Sequence, residues 1–146
     1  MKIAIGSDHA GLNLKNQIIE YLKDKNIEVI DEGTYGPESV DYPDFAVKVC
    51  NDYVTGCVDY GILVCYTGIG MSMAANKVKG VRAALVGIVE DAILTKEHNN
   101  ANVLCLSAKN TKTSLALEIV DAFLTTEFTA GRHERRVQKV MDIENE

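Results

Sequence analysis

The sequence predicts an α/β fold, a three-layer Rossmann-like sandwich in which a five-stranded parallel sheet carries helices on both faces. Three observations predict it. Short apolar runs alternate with longer segments of helical period along the whole chain, as successive βαβ units do. The central run, Ile62-Leu63-Val64-Cys65, is apolar without alternation, the mark of a strand buried on both sides. The chain of 146 residues is long enough for one such sheet with its helices, and short of a second domain.

Lys2–Gly6 reads as the first strand, and Leu12, Leu14, Ile18, Ile19 and Leu22 then share one helical face. Ile27–Ile30 is the second strand. Gly33–Pro43 has loop composition, and Ala46–Tyr53 reads as helix. The third strand ends at Cys65, before a helix through Met71–Lys77. Val81–Val86 is a strand, about Glu90 to Glu97 a helix, Val103–Leu106 the last strand, and Thr113–Leu124 an apolar helix. Arg132–Ile143 has helical character, but Val137, Val140 and Met141 give it only a narrow apolar stripe. It packs either on its own domain or on a partner subunit. No repeat, linker or low-complexity stretch interrupts the chain, so residues 1–146 read as one domain.

A net charge of −6 argues against nonspecific nucleic-acid binding, which needs a basic face. No segment approaches the roughly 20 apolar residues of a membrane span, and Met1–Gly6 is too short an apolar run for a signal peptide. A cytoplasmic protein without a membrane partner is expected. Cys50, Cys57, Cys65 and Cys105 show no CxxC or other metal spacing, and the histidines show no HExxH, so no metal is expected. Cys50, Cys57 and Cys105 read as packing residues.

Ligands of open parallel sheets bind beyond the carboxyl ends of the strands. That rule collects Asp8 and His9 after the first strand, Asp41-Tyr42 after the second, and Cys65-Tyr66-Thr67-Gly68-Ile69-Gly70 after a central one. A glycine-containing turn between strand and helix presents a row of main-chain N–H groups to an anion or a developing oxyanion. Cys65 stands at its lip, where a helix start lowers a thiol pKa, although cysteine also packs as a small hydrophobe. Thr67 is placed to hydrogen-bond that thiol. His98-Asn99 precedes the last strand, so reaching the same rim requires a loop or a neighbouring subunit. Arg132 and Arg136, one helical turn apart, suit a phosphate held by two forks. The bland reading is a solvated face neutralised by Glu134. Gly68-x-Gly70 is a poor dinucleotide fingerprint, because Met73 stands at its third position and the pair follows a middle strand.

Together these residues resemble the type B ribose-5-phosphate isomerases, the family that includes galactose-6-phosphate isomerase subunits. The likeness runs through Gly6-Ser7-Asp8-His9-Ala10-Gly11, Asp41-Tyr42-Pro43, Cys65 to Ser72 with Ala74-Ala75-Asn76-Lys77, Arg82-Ala83-Ala84, His98 to Leu104 and Gly131-Arg132-His133. The resemblance implies interconversion of ribose 5-phosphate and ribulose 5-phosphate through an enediolate, without metal or organic cofactor. It implies Cys65 as the base, since Gly70–Ala74 lacks the glutamate that another branch of the family uses. It implies His98 as the acid that assists ring opening, and the amides of Tyr66, Gly68, Ile69 and Gly70 as the anion hole. Asp8, His9 and Asn99 match substrate contacts, and Arg132 with Arg136 the phosphate clamp. Homodimers or tetramers with shared active sites are implied too.

Two positions depart from the family pattern: Tyr66 replaces a common glycine, and Lys109 a common arginine that contacts substrate. A tyrosine at positive φ would be strained; otherwise its ring narrows the pocket. The alternatives are an allose- or galactose-6-phosphate isomerase (subunit), or a non-catalytic module that binds a phosphosugar or nucleotide. The thiol reading requires the Cys65 sulfur to open onto a space for sugar.

Overall fold

The computed structural model describes all residues, Met1–Glu146. Its strands are β1 (Lys2–Ser7), β2 (Glu28–Asp31), β3 (Tyr60–Cys65), β4 (Ala83–Leu85) and β5 (Val103–Ser107). Its helices are α1 (Leu12–Asp24), α2 (Tyr42–Val54), α3 (Ile69–Ala75), α4 (Val89–Asn99), α5 (Thr113–Thr125) and α6 (Arg132–Asp142), with a final 3-10 turn at Ile143–Asn145. All strand pairs are parallel, in the order β2-β1-β3-β5-β4. The expected α/β sandwich and its five strands are therefore present. No helix is long and apolar enough to cross a membrane.

The alternation of side chains along a strand divides the interior in two. Ile3, Ile5, Ile62, Val64, Leu104 and Leu106 face one core, closed by Leu14, Ile18 and Leu22 of α1 and by Ala116, Ile119 and Phe123 of α5. Ala4, Leu63, Cys65, Val103 and Cys105 face the other, closed by Ala46, Val49 and Cys50 of α2 and by Met71 and Ala75 of α3. β3 and β5 lie in the middle of the sheet, which explains their unbroken apolar runs. Two lysines are fully buried. Lys15 reaches Asp31 at 2.6 Å and ties α1 to β2. Lys96 has no hydrogen-bond partner, and its ammonium lies 3.8 Å from the Tyr60 ring centre and 4.7 Å from that of Phe123.

Several boundaries differ from the sequence expectation. α2 starts at Tyr42 rather than Ala46, with Asp41 at its N-cap and Pro43 in its first turn, where a missing N–H costs nothing. β4 is three residues long instead of Val81–Val86. The segment before it is held by Asn102, whose side chain accepts from the Arg82 N–H at 2.8 Å and donates to the Gly80 carbonyl at 2.9 Å. Cys57 is a correction: it is exposed in the turn before β3, where it accepts a bond from the Thr55 hydroxyl, while Cys50 and Cys105 are buried as expected.

Glu32, just past β2, has a pKa raised to about 7, chiefly by its hydrogen bond to Asp52 of α2 and then by burial. The folded protein holds this proton more tightly than the unfolded chain. Its stabilising contribution is thus complete below the ordinary carboxylate range and is lost as pH rises through about 7. Glu32→Gln is expected to raise the melting temperature at pH 8 by about 2 °C, allowing for solvent screening, and to leave it nearly unchanged at pH 4. Equal shifts at both pH values would contradict the shared proton.

Candidate active site

Cys65 ends β3 opposite Ser107 of β5, and its carbonyl accepts the Ala108 N–H at 3.0 Å. Its side chain closes the top of the core beneath α2 and α3 and is 5% exposed. β1 runs alongside, with Ser7 opposite Val64. The turn that follows crosses close over β3: the Asp8 N–H donates to the Val64 carbonyl at 3.3 Å, and the Asp8 carboxylate accepts the Gly11 N–H at 3.0 Å. A Cβ on Gly11 would lie 2.5 Å from the Val64 oxygen, so only glycine permits this crossing. The exposed His9 accepts the Val40 N–H on Nδ1 at 3.2 Å, which leaves Nε2 as its protonated nitrogen in that state. The same rim receives α2, whose Tyr42 ring lies against Gly70.

After Cys65 the chain leaves the sheet under restraint. The Tyr66 carbonyl accepts the Ser107 hydroxyl at 2.9 Å and the Lys109 N–H at 2.8 Å. Gly68 has φ +78, and a Cβ there would also come within 3.0 Å of the Leu106 main chain. The Ile69 N–H donates to the Thr67 hydroxyl at 3.3 Å, whereas those of Thr67, Gly68 and Gly70 make no hydrogen bond within the protomer. One turn beside the sulfur therefore offers several free donors at a helix start, the geometry expected of an anion hole.

Thr67 differs from expectation: its hydroxyl accepts from the local turn and makes no bond to the Cys65 sulfur. The departures at Tyr66 and Lys109 prove to be connected. Tyr66 stays outside the left-handed region, so its backbone is unstrained, and its exposed ring lies 5.6 Å from the Lys109 ammonium.

The other candidates lie at the opposite edge of the sheet. α4 runs back from the carboxyl edge, so His98 and Asn99 at its end stand beside the start of β5, where Val103 pairs with Gly61 and Ala83. Asn100 ends the helix in the left-handed conformation, φ +50. The length of β3 separates the edges by roughly 17 Å. α6 joins the amino edge: the Thr129 N–H donates to the Glu97 carbonyl at 3.1 Å, and Arg82 reaches the Met141 sulfur at 3.3 Å. Between α6, the end of α4 and the segment before β4 runs a groove of about 940 Å³, lined in part by His98, Asn99, His133 and Arg136. Arg132 is exposed, and neither it nor Arg136 makes an ion pair with Glu134 or any other carboxylate.

His133, which the sequence places between Arg132 and Arg136, also lines this groove. Its ring stacks on that of His98 with centres 4.2 Å apart and planes inclined by 16°. Its pKa is lowered by desolvation and by His98, Arg132 and Arg136, against the pull of Glu97.

One protomer thus gathers Asp8, His9, Cys65, Tyr66, Thr67, Gly68, Ile69, Gly70 and Lys109 at the carboxyl edge. His98, Asn99, Arg132 and Arg136 lie at the amino edge. The large groove does not include Cys65. A substrate-sized space before the sulfur, which the thiol reading requires, is not formed by that groove.

The ribose/galactose isomerase family matches residues 3–140 of the chain. Ribose-5-phosphate isomerase B of Escherichia coli (strain K12) is 43% identical over 143 residues, spanning 98% of this chain and 96% of that protein. The structure of Clostridium thermocellum ribose-5-phosphate isomerase B superposes with a TM-score of 0.98 at 52% identity, covering 99% of this chain and 98% of that one. Ribose-5-phosphate isomerase B from Mycoplasma genitalium, solved with bound ribulose-5-phosphate, gives 0.94 at 48% identity over 99% and 97% of the two chains. With such agreement along nearly its whole length, this chain belongs to the ribose/galactose isomerase family.

Proposed function

We infer that this chain is an aldose–ketose isomerase that interconverts ribose 5-phosphate and ribulose 5-phosphate, acting as a homodimer or tetramer whose active sites are each built from two subunits. The observation that carries the reading is the turn after β3, where free main-chain donors stand beside the Cys65 sulfur. Isomerisation needs this pairing. A base removes the proton from C2 of the aldose, the electron pair moves toward the C1 oxygen, and fixed donors receive the charge of the enediolate without reorganising. The hydroxyl proton passes from O2 to O1, and the same base returns the carbon-bound proton to C1. No net oxidation occurs, because C1 is reduced as C2 is oxidised within one molecule.

The two half-sites support the oligomer. A base at the carboxyl edge and a phosphate clamp roughly 17 Å away at the amino edge cannot hold one pentose. A second copy that sets its own amino edge against the first copy's rim supplies His98, Asn99, Arg132 and Arg136, and walls off the space before Cys65. His98 then protonates the ring oxygen as the furanose opens. The absence of any buried residue on α6 fits an element meant to be covered by a partner.

The test is turnover of purified protein, with chelator present, on ribose 5-phosphate, allose 6-phosphate and galactose 6-phosphate, together with binding of NAD and AMP. Highest kcat/KM on ribose 5-phosphate is expected. Activity confined to a six-carbon sugar, or nucleotide binding without turnover, would refute the assignment. The role of His98 is checked separately. His98→Ala is expected to lower net formation of ribose 5-phosphate about a hundredfold, while the C1 proton of ribulose 5-phosphate still exchanges with D2O near the normal rate. Equal loss of both would remove His98 from ring chemistry.

A further inference from the structure

We propose that His133 is a positioning residue which, by stacking on His98, lets that imidazole take up its proton when phosphate occupies Arg132 and Arg136, so that substrate arms the ring-opening acid. The proposal rests on the roles given above to His98 and the arginines.

The rings lie 4.2 Å apart and within 16° of parallel, and no side-chain hydrogen bond orients either of them. The stack is therefore what fixes the plane of His98. Two imidazolium ions at that separation repel strongly, so the stack accepts no more than one proton. A protonated His98 over the face of a neutral His133 is favoured instead, as a cation over an aromatic ring.

The surroundings decide when that proton arrives. Arg132 and Arg136 on α6, with Lys77, Lys79 and Arg82 from the segment before β4, outnumber Glu97 of α4 and Glu144 of the final turn. This excess of positive charge disfavours a further cation in the stack before substrate binds, in keeping with the lowered pKa of His133. A phosphate dianion seated on the two arginines cancels their charge and so removes most of this positive excess. The first proton then becomes favourable, and by linkage phosphate binding and protonation strengthen each other. An acid charged only in the presence of substrate matches the single step in which His98 is needed.

Sulfate, a dianion that does not titrate in this range, is the probe. The chain has three histidines, so spectra of 15N-histidine-labelled protein are assignable by single substitutions. In the wild type, sulfate is expected to raise the titration midpoint of His98 by about one pH unit, a tenfold gain in proton affinity. His133→Ala should abolish most of that rise and lower ribose 5-phosphate turnover about tenfold, while C1 exchange of ribulose 5-phosphate stays intact. His133→Phe, which keeps a ring in the stack, should restore both. A midpoint indifferent to sulfate in the wild type overturns the coupling. Wild-type behaviour of His133→Ala, or failure of His133→Phe to rescue, overturns the positioning role. A wild type without turnover on ribose 5-phosphate would instead count against the isomerase reading, which the sulfate titration does not depend on.

Discussion

Replacing Cys65 by alanine is expected to lower kcat for ribose 5-phosphate isomerisation about a thousandfold, within the range for loss of a general base. Affinity for phosphosugar should stay within a few-fold, since the proposed clamp, Arg132 and Arg136, is untouched. No neighbouring thiol substitutes. Burial pushes the Cys50 thiol up to about 12 and raises Cys105 further still, so neither supplies thiolate near neutral pH. The small cavity left behind costs about 1 kcal/mol of stability, too little to unfold a domain of this size. The measurement is steady-state turnover beside calorimetric binding of a non-isomerisable phosphosugar. Near-normal turnover would exclude the sulfur from the chemistry, and joint loss of binding and turnover would point to a structural role.

The second large effect is the rescue of two inactive variants by each other. If Cys65 and His98 act in one site but come from different chains, a mixed dimer of Cys65→Ala and His98→Ala contains one site with both defects and one with neither. After random reassociation of equal amounts, half of the dimers are mixed, so about one quarter of wild-type activity should return. Each variant alone stays low at every concentration. No recovery on mixing, with exchange of subunits verified by mass, would place both residues in a single protomer and contradict the shared site.

The order of elements was legible because each carries its own period: the unbroken Ile62–Cys65 run, the α1 stripe from Leu12 to Leu22, and the glycines after Cys65. The turn beside Cys65 could be read because its residue types are tied to local backbone needs, and Gly68 indeed takes positive φ. Placement across the sheet was not legible. No local signal says that β5 inserts between β3 and β4, or that α4 carries His98 to the far edge. The His98–His133 stack joins residues far apart in sequence through the packing of α6 on α4, which a weak apolar stripe does not encode. Cys57 misled because cysteine is usually buried, whereas a turn leaves it in solvent. Thr67 followed the commoner habit of a hydroxyl in a turn and served its own backbone.

Because α6 keeps no residue of its own inside the protomer, the enzyme proposed here should be sensitive to dilution. Specific activity should fall once the working concentration drops below that needed for association, and freshly diluted samples should lose rate as their subunits separate. The amount of protein present would then govern how well each molecule works as well as how many there are.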